Sequence, residues 1–164
     1  MLNNIKIFVI PGGGGKTTLC KNYNNFIDID SFWDVNGKIE SEMIKEFKRA
    51  QEKNNHEIIQ KLIKDCMNYK AIKLKNNLNK NNVVILVQSV EQANIISNDK
   101  NNIFCFVPDK EFHELTMEKR KDIDFVKDVC RKQREDIINS GWKYIIYNDF
   151  KELDLLIKEA IKQK

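Results

Sequence analysis

Arginine is scarce in this chain, making up four of 28 basic residues with lysine supplying the rest. Against 24 acidic residues the net charge is only +4, and it is dispersed rather than gathered in a patch. That balance argues against a dedicated nucleic-acid binder. No run of about 18 apolar residues is present, which excludes a hydrophobic membrane-spanning helix, and no signal peptide is recognisable. The four cysteines (Cys20, Cys66, Cys105, Cys130) form no C-x-x-C pair and have no histidine at metal-ligand spacing. Cys66 and Cys105 read as ordinary core thiols. A reducing, cytoplasmic compartment is expected. The two histidines, His56 and His113, lack sequence partners and read as solvated helix positions. Neither internal repeat nor linker interrupts the 164 residues, a length that suits one domain, 1–164, with a core of its own.

Five short apolar runs read as strands: Lys6–Ile10, Phe26–Ile29, Val83–Val87, Ile103–Val107 and Lys143–Tyr147. Their near-continuous hydrophobicity suits strands of a parallel sheet covered on both faces. Helical patterns separate them, with apolar stripes at Ile39, Met43, Ile44 and Phe47, and at Ile58, Ile59, Leu62, Ile63, Met67 and Ile72. Further helices are expected over Lys16 to Tyr23, Glu91 to Ser97, Asp124 to Asn139 with a stop at Gly141, and Leu153 to Lys162. Strands alternating with helices predict an α/β fold, with ligands collecting beyond the carboxyl ends of the strands.

Behind the first strand stands Ile10-Pro11-Gly12-Gly13-Gly14-Gly15-Lys16-Thr17-Thr18. Glycines let successive backbone N–H groups turn toward phosphate oxygens and keep side chains away. With Lys16 to reach the β- and γ-phosphates and the Thr17 hydroxyl to ligate Mg²⁺, the run reads as a phosphate-binding loop of the Walker A type. Gly12, Gly13, Gly14, Gly15, Lys16, Thr17 and Thr18 are the expected nucleotide-binding residues. One departure stands out. The motif's first glycine position is Ile10.

The second strand runs into Asp28-Ile29-Asp30-Ser31. At period two both acids would share a face at the strand's carboxyl end, one for Mg²⁺ and one for a substrate proton. The alternative is a solvated strand end whose Asp or Ser caps the next helix. Trp33, just beyond, could stack on a base or simply pack helices onto the sheet. No acid follows the third strand, which runs into Gln88 and Ser89. Asp34 to Gly37 spells D-x-x-G, but too close to Lys16 for a GTPase switch.

Phosphate loop, short helix and a strand ending in D-x-D together resemble the small-molecule P-loop kinases: nucleoside and nucleotide kinases, shikimate and gluconate kinases, and polynucleotide kinases. That resemblance implies a three-layer α/β/α P-loop NTPase fold with a five-stranded parallel sheet in the order 2-3-1-4-5. It also implies ATP (or GTP) and Mg²⁺ as cofactors, with Asp28 near the metal beside Thr17, and Asp30 at the acceptor. A helical acceptor-binding insert is expected over about 37–80, and an arginine-bearing lid over about 116–124.

Three of the four arginines, Arg120, Arg131 and Arg134, lie in or just after that lid. Arginine's fork suits phosphate clamping. A solvated helix face with ion pairs such as Arg131–Glu135 is the competing account. Lys16, Asp30, Arg120 and Arg131 are the expected catalytic residues, and Asp30, Trp33 and Arg134 the substrate-binding ones. Tyr147 to Phe150, after the last strand, has the position of an adenine-contacting turn. The activity expected is phosphoryl transfer to a small acceptor, a nucleoside or nucleotide. Its rivals are a polynucleotide 5′-kinase, using the lysine-rich Lys64 to Lys80 stretch, and a nucleotide-binding switch or assembly module without kinase activity.

Overall fold

Apolar, β-branched runs flanked by amphipathic ones order themselves as alternating strands and helices. The structure, a computed structural model, describes residues 5–79 and 82–163. Strands β1 (Lys6–Val9), β2 (Phe26–Asp28), β3 (Val84–Val87), β4 (Ile103–Pro108) and β5 (Tyr144–Tyr147) form one sheet, all pairs parallel, in the order β2-β3-β1-β4-β5. The helices are α1 (Lys16–Asn22), α2 (Lys38–Glu52), α3 (His56–Asn77), α4 (Val90–Ile96), α5 (Lys110–Lys119), α6 (Asp124–Asn139) and α7 (Phe150–Lys162).

Side-chain alternation along the strands decides which helices cover which face. Ile7, Val9, Ile85, Val87, Cys105 and Val107 point to one side and pack with Ala71 and Leu74 of α3, Ala93 and Ile96 of α4, and Ile137 of α6. Phe8, Ile10, Leu86, Phe106 and Tyr147 point to the other and meet Leu19 of α1 and Leu153, Ile157 and Ala160 of α7. The result is three layers, α/β/α. Phe8 anchors the second face, its ring edge-on to Phe26, Phe104 and Phe106 at 5.3 to 6.0 Å between centroids. Such pairs add about 0.5–1.5 kcal/mol each beyond the area they bury.

Side-chain caps set the helix starts. Ser89 accepts from Gln92 N–H, Asp109 from Glu111 N–H and Asp149 from Glu152 N–H. At the other end of α6, Gly141 adopts a left-handed φ of +78°, the expected stop. Two expectations need correction. The edge strand β5 is not covered on both faces, because Tyr144, Ile145 and Ile146 are exposed and only Tyr147 reaches the core. Residues 116–119, expected to open the lid, complete α5. There Met117 is fully buried and the Thr116 hydroxyl donates to Phe112 O, so only residues 120–123 link α5 to α6.

Within the 37–80 stretch, α2 and α3 form a hairpin tied by an ion pair between buried Glu40 and partly exposed Lys73. Lys80 lies outside the described residues. Among the described residues no helix is long and apolar enough to cross a membrane.

Candidate active site

Register brings the chemistry to one edge. Asp28 pairs with Leu86 and Val9 with Val87, so β2, β3 and β1 end nearly level. The acid pair, Gln88 and the glycine loop therefore leave the sheet side by side. Ile10 explains the altered motif. Its N–H donates to Val87 O at 2.9 Å, prolonging the ladder, and its side chain is wholly buried against the second sheet face. An isoleucine stands there as a core residue.

The loop closes with Gly14 N–H donating to Pro11 O at 3.0 Å. Gly13 and Gly15 take left-handed φ values of +74° and +101°, open to glycine at little cost. A Cβ on Gly13 would collide with the Met117 methyl, and one on Gly15 would sit 2.8 Å from the Phe150 ring. Distant side chains hold the backbone. Gln133 of α6 accepts from Gly12 N–H at 2.8 Å, and His113 Nε2 of α5 donates to Gly12 O at 2.8 Å. The Tyr147 hydroxyl donates to Gly14 O at 2.7 Å. The N–H groups of Gly13, Gly15, Lys16, Thr17 and Thr18 donate to no protein partner among the described residues. Their donors stay open, as a polyphosphate cradle requires.

Lys16 is buried, its ammonium only 3.3 and 3.4 Å from the carbonyls of Ile10 and Pro11. Desolvation lowers its pKa from the ordinary value, while the carboxylates of Asp28 and Asp30 oppose the fall. Asp28 shows the reverse. Burial raises its carboxyl pKa, and Lys16 pulls it back.

The acids do not share a strand face as period two predicts. Asp28 is the last residue of β2, and Asp30 belongs to a 3₁₀ turn, Ile29–Phe32. The turn forms because Asp28 Oδ1 accepts from Asp30 N–H at 3.1 Å and the Ser31 hydroxyl donates to Asp28 O at 2.7 Å. The capping account thus holds for Asp28. From α3, Lys70 Nζ lies 2.6 Å from Asp30 Oδ1, and Gln88 Nε2 donates to Oδ2 at 2.9 Å. Gln133 Nε2 in turn donates to Gln88 Oε1 at 3.2 Å. An unbroken polar chain, Lys70–Asp30–Gln88–Gln133–Gly12, joins the acid to the loop.

One cavity of about 620 Å³ contains Gly12, Gly13, Gly15, Lys16, Thr17, Thr18, Asp28, Asp30 and Arg120 in its walls. Phe150, the first residue of α7, lines it too, whereas Tyr147 is spent on Gly14 O and Asp149 on capping α7. Three expected residues stand elsewhere. Trp33 packs edge-on to Tyr69 under the Lys70 ammonium, outside the cavity lining. Arg131 grips Glu114 with two nitrogens and Asp128 with a third. Arg134 is buried, donating to Pro108 O at 2.9 Å and pairing with the neighbouring Glu135.

His113 is buried rather than solvated, because α5 lies against the loop; its Nδ1 has no partner. Burial lowers its pKa from the ordinary value, opposed by the bond to Gly12 O. Cys66 is half-buried on the cavity wall, not in the core. Gln88, Gln133, His113 and Lys70 escaped the sequence reading. Only Gln88, directly behind a buried strand, carried any local signal.

No protein-family model matches the chain, and neither does any curated protein.

Proposed function

We propose that this protein is an ATP- and Mg²⁺-dependent phosphotransferase of the P-loop kinase class, moving the γ-phosphoryl group to a small acceptor, a nucleoside or nucleotide. The observation that carries the reading is the shared cavity: open loop amides, Lys16 and two carboxylates line one 620 Å³ space. The loop amides and Lys16 hold the donor phosphates. Thr17 and Asp28 fit a cation that keeps most of its ligands from phosphate and water, in line with no cluster of three or more metal-binding side chains among the described residues. A Mg²⁺ ion held by Thr17 and Asp28 would supply charge neutralisation to the donor phosphates.

Asp30 orients the acceptor hydroxyl and takes its proton. The hydroxyl oxygen bonds to the γ-phosphorus as the bond to the β-phosphate oxygen breaks, and the nucleoside diphosphate leaves with that electron pair. Arg120, in the cavity wall, is the arginine assigned to balance charge spread over the transferring group. In this reading the α2–α3 hairpin is the acceptor insert.

The test is transfer from γ-labelled ATP across nucleosides, nucleoside monophosphates, oligonucleotide 5′-hydroxyls and hydroxy acids. One labelled product, lost in Lys16→Ala by a factor on the order of 10² or more with the fold retained, is the expected result. Near wild-type transfer by Lys16→Ala would sink the assignment. A second reading, a nucleotide-binding switch without kinase activity, is favoured by one feature: Gln88 stands at the end of β3 where many nucleotide hydrolases carry an acid. ATP binding without transfer to any acceptor would select it.

A further inference from the structure

Helices α2, α3 and α6 give the cavity Phe47, Ile63, Met67, Val126 and Val129, all half-buried and apolar. Phe47 and Ile63 continue into the small cluster formed by Ala50, Ile59 and Leu62, so this wall is fixed by packing. Lys16, Lys70 and Arg120 are the cations in the lining. Lys16 belongs to the loop. Lys70 is bound to Asp30 at 2.6 Å, and Arg120 is paired with Asp122. Both of the remaining lid-side arginines are engaged outside the cavity, Arg131 with Glu114 and Asp128, Arg134 with Pro108 O and Glu135.

An anionic acceptor entering a partly desolvated site needs an unspent cation, best an arginine fork, to replace its water. Here it would have to break the Lys70–Asp30 pair and then face the freed carboxylate. A flat, uncharged body loses little water and gains contact with Phe47 and the adaptable Met67. Resting on the phosphotransferase reading above, we propose that the acceptor is an uncharged hydroxyl compound on a flat apolar body, of the nucleoside class, and that phosphorylated and carboxylated acceptors are rejected. Asp30 receives the hydroxyl, and the apolar wall receives the ring.

Initial rates with ATP and Mg²⁺ decide it, comparing each nucleoside with its own 5′-monophosphate and with hydroxy acids. The expected result is kcat/KM higher for nucleosides by a factor on the order of 100, shrinking severalfold in Val129→Lys, which places a cation on the apolar wall. Equal or better turnover of monophosphates or hydroxy acids by the wild type overturns the proposal while leaving the kinase reading standing. If no acceptor is phosphorylated, the kinase reading falls by itself. Calorimetric titration with a nucleoside and its monophosphate then judges the cavity directly: tighter binding of the nucleoside upholds its neutral character, and nucleoside binding that is absent, or equal to or weaker than that of the monophosphate, overturns it.

Discussion

Replacing Gln133 with methionine keeps the side chain's length and removes both of its polar ends. Its Oε1 accepts the buried Gly12 N–H at 2.8 Å, and its Nε2 donates to Gln88 at 3.2 Å. Stranding a buried N–H costs about 1–3 kcal/mol, and losing the longer, partly exposed second bond costs about 0.5–1 kcal/mol. Water entering from the adjoining cavity recovers part of the first loss, so the expected destabilisation is about 1.5–3 kcal/mol. For a domain of this size that lowers Tm by roughly 3–12 °C. Urea unfolding followed by tryptophan fluorescence measures it, provided the m-value is unchanged. A double-mutant cycle with Gln88→Ala should return a coupling of about 0.5–1 kcal/mol. A Gln133→Met loss below about 0.5 kcal/mol would mean that the loop is not held from α6, and the polar chain linking it to Asp30 would have no energetic content.

Gly13→Ala combines a left-handed backbone with a Cβ driven into the Met117 methyl, and should destabilise by about 2–5 kcal/mol; wild-type unfolding midpoints would refute the loop conformation. Stability should also fall on acidification from about pH 6.5 through His113, whose folded-state pKa lies below the ordinary 6.5. The unfolded chain binds the proton first, so stability is present above that pH and lost below it, at no more than about 1.4 kcal/mol per pH unit. His113→Gln, which keeps a donor toward Gly12 O, should flatten this part of the profile; an unchanged slope between about pH 7.5 and about pH 5.5 would exclude His113 as its source.

What the sequence made legible was local. Apolar runs of four to six residues announced the strands, and the glycine run behind β1 announced the loop, because both patterns are set by neighbours along the chain. The order β2-β3-β1-β4-β5 came with the kinase resemblance, and the sheet has that order. Asp28 and Asp30 were found for a partly mistaken reason. A strand periodicity was read where an Asx turn brings the second acid round. His113 and Gln133 reach Gly12 across 101 and 121 residues of chain, and no local pattern encodes such contacts. For the arginines, the pattern identified scarce residues but not their partners. Glu114, 17 residues before Arg131 and in another helix, took the place expected of Glu135.

The loop's conformation is prepaid by the fold. Two of its glycines occupy left-handed geometry, and a flexible loop would lose that order unless ligand binding supplied the energy. Here the second half of the chain holds part of the loop backbone: Gly12 by α5 and α6, and Gly14 O by the end of β5. Met117 and Phe150 fill the spaces that side chains on Gly13 and Gly15 would need. Among the described residues the N–H donors of Gly13, Gly15, Lys16, Thr17 and Thr18 have no partner. Held carbonyls beside open amides suit the proposed phosphate site, where an anion would meet donors already in position.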